Sequence, residues 1–382
     1  MGESVGRYVK QEGGYSAFIP EFLPLESAVG YSKELQSVLS EADRALGRLD
    51  GVVTVLPNPN LFLAMFVKKE ALLSSQIEGT QASLEGVLEF EAGIIPEENI
   101  NEIKEVVNYV KALNYGIERL QEFPFSLRLI KEIHKILISG TRGKSKTPGE
   151  FRKSQNWIGS PGASLNEATY IPPPPDKVLS YMGNLEKYFY SRDKNPPLIK
   201  SAVIHSQFET IYPFLDGNGR IGRLLIVFYL LWKKALKKPI LYISFYFKKN
   251  REEYYNKLME VRNTGVWNGW FKFFLKGVIE TAEEATETAK RIIALKDEII
   301  EKLYENSISS IYAVRTIDLL FEIPVVSTNE ISKRIKISKQ TANKIVNSFE
   351  KIGVLKEISG KKRYKKFQFV DYVNIIKKGT EI

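Results

Sequence analysis

Apolar residues recur every three or four positions over long stretches of this chain, which predicts a mainly helical protein. Leu25–Leu49 and Leu61–Ile77 both show that spacing and are parted by the breaker Pro57-Asn58-Pro59-Asn60, so the reading is helical up to about Gly93. The second pattern ends at Glu78-Gly79-Thr80, where Gly79 suits the left-handed turn that closes many helices. Helical patterns resume from Asn101 to about Thr288, and Thr286–Leu303 reads as a connecting helix. One connector interrupts them. Gly140–Pro175 is rich in Gly, Ser, Asn and Pro and ends in four prolines, Pro172–Pro175, expected to stay extended and outside any helix. A loop of that length inside a compact domain is functional or disordered. Its stretches Gln155–Ile158 and Thr169–Ile171 are candidates for a small hairpin.

From Val325 to Phe369 the pattern changes. Ser327/Thr328 caps a short helix through Lys336, Ser338 caps a second through Lys351, and Gly353 ends it. Val354–Ile358 and Tyr364–Val370 then alternate as a basic hairpin across Ser359-Gly360-Lys361-Lys362. That is the element order of a winged helix. The expected class is mainly α with small β additions: an N-terminal helical region (1–100), a core (101–288), a helical connector (289–325) and a C-terminal α+β winged helix (326–382).

Composition narrows the chemistry. The chain has 382 residues and no cysteine, which excludes a disulfide scaffold and any thiolate site. With only two histidines, His134 and His205, a zinc site built on imidazoles is not expected either. The longest apolar run, Leu224–Trp232, falls well short of the roughly 20 residues a membrane span requires, and the N-terminus has no apolar signal-type stretch. A soluble, cytoplasmic protein without membrane partners is the expectation. Of the net charge of +10, residues 328–382 carry +9, from fourteen Lys/Arg against five Asp/Glu. Any nucleic-acid hypothesis therefore belongs to the tail.

The densest chemistry lies in Tyr212–Arg223. An apolar helix arrives, Pro213 stops it, and Gly217-Asn218-Gly219 turns the chain tightly into a second apolar helix. Glycines let backbone N–H groups crowd around an anion, and a new helix offers unpaired donors and a positive dipole end. Arg220 and Arg223 project from one face near that helix start, which makes a polyphosphate site with the glycine turn. Asp216, just before the turn, is placed to hold Mg²⁺ through oxygen. Two near-matches are refused. Gly217–Gly222 satisfies G-x-G-x-x-G, but a helix pattern precedes it and Leu224–Tyr242 contains no carboxylate for a ribose. Gly143-Lys144-Ser145 resembles the end of a Walker A loop, but Ile138 stands where that loop needs glycine.

The segment Tyr212-Pro213-Phe214-Leu215-Asp216-Gly217-Asn218-Gly219-Arg220-Ile221-Gly222-Arg223 resembles the signature of the Fic family, H-P-F-x-[D/E]-G-N-G-R-x-x-R, at every specified position but the first. Thr147–Gly159 and the prolines at 172–175 look like that family's flap, and Ser74-Ser75-Gln76-Ile77-Glu78-Gly79 resembles its inhibitory motif, [S/T]-x-x-x-E-[G/N]. The resemblance implies a helical Fic core with a small β-hairpin flap and transfer of AMP from ATP to a hydroxyl of a target protein. By that resemblance Asp216 coordinates Mg²⁺, and Asn218 with the Gly217 and Gly219 amides holds the α- and β-phosphates. Arg220 binds phosphate oxygens, and Arg223 orients the γ-phosphate. The flap aligns the target as an added strand. A homodimer is left open on the same ground.

The departure falls on the general base. A phenol with an ordinary pKa of about 10 is already protonated at neutral pH, so Tyr212 in place of histidine costs on the order of 10²–10⁴ in rate. His205, seven residues earlier on an apolar stretch, reads as a core histidine, with a substitute base as the alternative. Glu78 is expected to restrain the site by pairing with Arg223, or to activate water for the reverse removal of AMP. The tail's Lys339–Lys344 and Lys361–Lys366 suit a major groove and its phosphates. Partner docking and mere solubility remain alternatives for that face. The leading expectation is a self-inhibited adenylyltransferase impaired at Tyr212, and the other is a non-catalytic nucleotide sensor controlling a DNA-binding tail.

Overall fold

The computed structural model describes residues 5–24, 32–54, 59–141, 145–160 and 162–381. Pro57 and Asn58 of the expected breaker lie outside the described residues, as do Gly143 and Lys144 of the refused Walker motif. The chain is mainly helical, beginning with α1 (Lys33–Thr54), α2 (Pro59–Ile77), α3 (Leu84–Glu91), α4 (Ile100–Glu122) and α5 (Leu127–Ile138). Next come α6 (Pro175–Phe189), α7 (Pro197–Ile211), α8 (Asn218–Trp232), α9 (Ser244–Lys249) and α10 (Arg251–Thr264). The last five are α11 (Asn268–Glu305), α12 (Ile311–Glu322), α13 (Thr328–Ile335), α14 (Lys339–Lys351) and α15 (Val370–Lys377). Among the described residues no helix is long and apolar enough to cross a membrane. Two compact units form, each discontinuous in sequence. The first contains Met1–Leu46, Asn108–Lys237 and Tyr246–Glu280; the second contains Gly47–Val107, Lys238–Phe245 and Thr281–Ile382.

At the heart of the first unit lie α7 and α8, buried on all sides from Leu198 to Ile211 and from Asn218 to Leu230. Helices without a polar face must sit inside a shell of other elements. Here α6 packs on α7 and α5 on α8. Gly222 allows the close approach of the pair, since a Cβ there would lie 2.2 Å from Glu209 Oε1. Ser126 caps α5, whose stripe Leu129, Ile130, Ile133 and Leu137 faces the interior.

The N-terminal stretch differs from its helical reading. β1 (Gly6–Lys10) pairs antiparallel with β2 (Ser16–Pro20), with Tyr8 opposite Phe18. Strands this short hardly register as a period, and the local signal is the turn at Gly13-Gly14, with Gly14 at φ +80°. Phe18 N–H donates to the Ile171 carbonyl at 2.9 Å, which joins the hairpin to the long connector. In that connector the expected small hairpin is reduced to one bridge, Ile158 to Tyr170. The four prolines do not all stay outside helices either. Pro175 is the first residue of α6, where its missing N–H has no helical partner to lose.

In the second unit α12 and α15 pack on α2, the helix that ends in the Ser74–Gly79 segment. Gln76 donates from Nε2 to the carbonyls of Ala82 (3.1 Å) and Thr380 (2.8 Å), and Lys377 pairs with Glu85 at 3.0 Å. The boundary read at residue 288 falls inside α11, which continues to Glu305 because no Gly or Pro interrupts residues 278–305. Beyond α12 the strands β3 (Val325–Val326), β4 (Lys356–Glu357) and β5 (Phe367–Gln368) form a sheet in the order β3-β5-β4, all antiparallel. Ser327 and Glu330 close a capping box on α13, and Ser338 caps α14. These are the caps read from the sequence, although the strands are shorter than the pattern predicted.

Candidate functional site

α7 ends at Tyr212, a left-handed residue at φ +50° and ψ +59° whose N–H still reaches the Phe208 carbonyl at 2.9 Å. The last carbonyls of a helix have no partner within it, so something else must take them. Here the Glu209 carbonyl accepts from Arg262 Nη2 (3.0 Å) and that of Thr210 from the Tyr170 hydroxyl (2.6 Å). Arg152 serves the next three. Its guanidinium donates to Ile211 (3.4 Å) and Tyr212 (2.9 Å), and its backbone N–H donates to Pro213 (2.9 Å). The same side chain reaches the Pro173 carbonyl at 2.5 Å, tying the proline segment to the bend. Two cations at the negative end of a helix are electrostatically favoured. Burial pulls the Arg152 guanidinium down to about 10, which leaves it charged at neutral pH.

The bend itself is closed by side chains. Asn218 accepts from Phe214 N–H at 2.8 Å through Oδ1 and donates to the Phe214 carbonyl at 2.7 Å through Nδ2. Asn156 donates to that carbonyl as well, at 2.7 Å. The amide of Asn218 is thus committed at both ends to the loop, and its contribution toward phosphate is its backbone N–H. Gly217 takes φ +80° as the cap of α8, a left-handed turn that glycine adopts without strain. The first helical bond of α8 runs from Ile221 N–H to the Gly217 carbonyl, so the N–H groups of Asn218, Gly219 and Arg220 stand ahead of it. Carbonyls turned inward and N–H groups at the helix start give the bend a donor arrangement that suits an anion.

Its charged side chains are those read from the sequence. Asp216 is partly exposed; its Oδ1 accepts from Gly217 N–H at 2.6 Å and lies 3.5 Å from Arg220 Nη2. Its Oδ2 accepts from none of the described residues. Arg220 and Arg223 are 2% and 0% exposed, so both side chains are buried and not on the surface. Among the described residues no group of three His, Asp or Glu gathers as a metal site. A Mg²⁺ ion fits only with Asp216 as its protein carboxylate and phosphate or water oxygens completing the shell.

Both histidines are structural in their contacts. His205 donates from Nδ1 to the Gly222 carbonyl (2.9 Å) and accepts the Tyr254 hydroxyl at Nε2 (2.8 Å), which leaves neither nitrogen to serve as a base. Burial lowers it to about 3. His134 accepts Gly149 N–H at Nδ1 (2.9 Å), which fixes the proton on Nε2, and that nitrogen donates to the Asp216 carbonyl at 3.0 Å. Its ring stacks on Phe214 at 3.7 Å.

Glu78 is half-buried in the second unit, and its N–H donates to the Ser75 carbonyl at 3.0 Å as α2 closes on Gly79 at φ +96°. Ser74 is buried in the same turn. Sequence reasoning missed Arg152, Arg262, Tyr170, Asn156 and His134. The long connector reads from its length as functional or disordered, and nothing in its pattern singles out one arginine as the partner of a helix end.

The Fic/DOC family model matches residues 124–230, and the model of that family's N-terminal region matches residues 36–118. The protein adenylyltransferase Fic of Drosophila grimshawi is 28% identical over 209 residues, which cover 52% of this chain and 39% of that protein. A probable protein adenylyltransferase of Aquifex aeolicus is 28% identical over 211 residues, covering 54% of this chain and 58% of its own length. The chain thus spans less than two thirds of either relative. A crystal structure of a Fic family protein from Desulfovibrio desulfuricans shares the fold with a TM-score of 0.59 at 19% identity, over 90% of this chain and 98% of that one. A Fic-domain signalling protein from Bacteroides thetaiotaomicron does so at 0.52 and 18%, over 68% and 97%. Residues 36–118 and 124–230 are thus the N-terminal and main domains of the Fic/DOC family, and the bend lies in the second.

Proposed function

We propose that the chain binds ATP in the α7–α8 bend and transfers AMP to a hydroxyl of a target protein, slowly, because Tyr212 occupies the base position. The observation that carries this reading is the inward commitment of the loop's carbonyls, which leaves an N–H-lined, doubly cationic bend for phosphates. In the reaction the target hydroxyl oxygen forms a bond to the α-phosphorus, the bond to the bridging oxygen breaks, and pyrophosphate leaves. Mg²⁺ held by Asp216 would neutralise charge on the phosphate oxygens. Arg220 and the N–H groups of Asn218 and Gly219 hold the α- and β-phosphates, and Arg223 orients the γ-phosphate. The hydroxyl proton must leave as the bond forms. A phenol cannot take it at neutral pH, so it passes to water.

Tyr212→His should raise AMP transfer from labelled ATP by about 10²–10⁴, measured on the chain itself or on an added protein. Glu78 is the restraint in this reading, so adding Glu78→Gly should raise the rate again. An unlabelled product from the double variant would rule out the transferase. If Tyr212→His alone instead strips AMP from a labelled protein, and Glu78→Gly abolishes that, Glu78 serves the reverse reaction.

Residues 326–382 support a second reading, a winged helix that binds duplex DNA while the body senses nucleotide. On α14 the side chains of Lys339, Gln340, Asn343, Lys344 and Asn347 are exposed, as are Lys361, Lys362, Arg363 and Lys365 in the hairpin. Replacing Lys361, Lys362 and Arg363 together by Ala should weaken DNA binding and lower its salt slope by about 3. Unchanged affinity would remove DNA as the partner and leave protein docking.

A further inference from the structure

We infer that His134 is a positioning residue for the phosphate site, acting through the main chain of Asp216. The inference rests on the nucleotide reading above, and its geometry is independent of it. His134 is fully buried on α5 and touches both the long connector and the bend. Nδ1 accepts the N–H of Gly149 at the start of the long connector, and Nε2 donates to the carbonyl of Asp216. The imidazole is therefore a brace of fixed length between the two. Its plane lies 11° from that of Phe214, so the ring is clamped in rotation as well. Gly217 closes the remaining side. A Cβ there would lie 3.3 Å from Ile138 and 3.7 Å from His134 Cδ2, so α5 lies directly against the turn.

The consequence concerns one carboxylate. Asp216 carries its metal-facing oxygen on a backbone whose carbonyl is pinned by His134 and whose Oδ1 is pinned by Gly217 N–H. Two pins on one residue set the direction of Oδ2. Losing the carbonyl pin lets the peptide plane rotate and misdirects the carboxylate, without removing any group that touches nucleotide. The brace requires the neutral ring, because a protonated Nδ1 donates and cannot accept from Gly149.

Two substitutions separate the halves of the brace. Asn at this position keeps an acceptor where Nδ1 stands and loses the donor toward Asp216. Gln keeps a donor at the reach of Nε2 and loses the acceptor for Gly149. In the full-length protein, Mg²⁺-ATP affinity by calorimetry should fall about tenfold in His134→Asn while ATP affinity in EDTA is unchanged, and His134→Gln should stay within about threefold of the parent in both. Equal losses in both variants, with and without Mg²⁺, would make His134 a packing residue only. Amide exchange in the unliganded protein reads the same brace without nucleotide. His134→Asn should speed exchange at Phe214 and Gly217 and spare Gly149, with the opposite pattern for His134→Gln. If the parent binds no nucleotide, the phosphate reading fails, and the exchange pattern still decides whether the brace exists.

Discussion

The bend at 212–223 and the hairpin loop at 359–366 look alike as sequences, each a glycine-containing turn carrying cations, two in the first and five in the second. They differ in what surrounds them. In the bend the arginines are buried and seven carbonyls between Glu209 and Asp216 are held by side chains or backbone from other parts of the first unit. In the hairpin Lys361, Lys362, Arg363 and Lys365 all face solvent; its ties include the local Ser359 N–H to Glu357 at 2.8 Å and the ion pair of Lys366 with Glu330 at 3.0 Å. A buried cation persists only where hydrogen bonds offset its desolvation, so the bend is a fixed element of the fold. A solvated lysine loses little by moving, so the hairpin is an adaptable surface.

The contrast can be broken most sharply at Arg152. Arg152→Met leaves the carbonyls of Ile211, Tyr212 and Pro173 without its donors, and should cost on the order of 3 kcal/mol in urea unfolding, with nucleotide binding lost in parallel. A loss below about 1 kcal/mol would mean the bend holds itself. Acid should sharpen the same point. His134 falls to about 4 and His205 to about 3, both through burial, against an ordinary value near 6.5. The unfolded chain binds protons that the folded one refuses as pH drops below 6.5. Stability should therefore be flat above that pH and fall toward pH 4 by about 3 kcal/mol for each ring. Denaturation midpoints at pH 7, 5.5 and 4.5 test this, and an unchanged midpoint contradicts the burial of both rings. At the other extreme, Lys362→Ala in the hairpin should change stability by less than about 0.5 kcal/mol.

Much of this was legible beforehand for identifiable reasons. Helix starts at Ser327 and Ser338 are local chemistry, and so is the tight turn at Gly217-Asn218-Gly219, which is why all three were found in place. Asp216, Arg220 and Arg223 were legible because spacing alone puts them near one helix start. The donors that hold the bend were not, because Arg152, Arg262 and His134 come from distant segments and are matched to it only by the fold. Pro175 and the β1–β2 hairpin were misread for a different reason. A proline is tolerated at one helical position, and five-residue strands give periodicity too little length.

The contact between Gln76 and Thr380 has a temporal consequence. It joins residues 304 positions apart, and such distant pairings form only after the intervening chain has been made and folded. During synthesis on the ribosome the turn carrying Glu78 emerges early and waits, lacking this support until Thr380 has been added and has emerged. Growing chains stalled before Thr380 should show this turn more open to protease than chains that contain it.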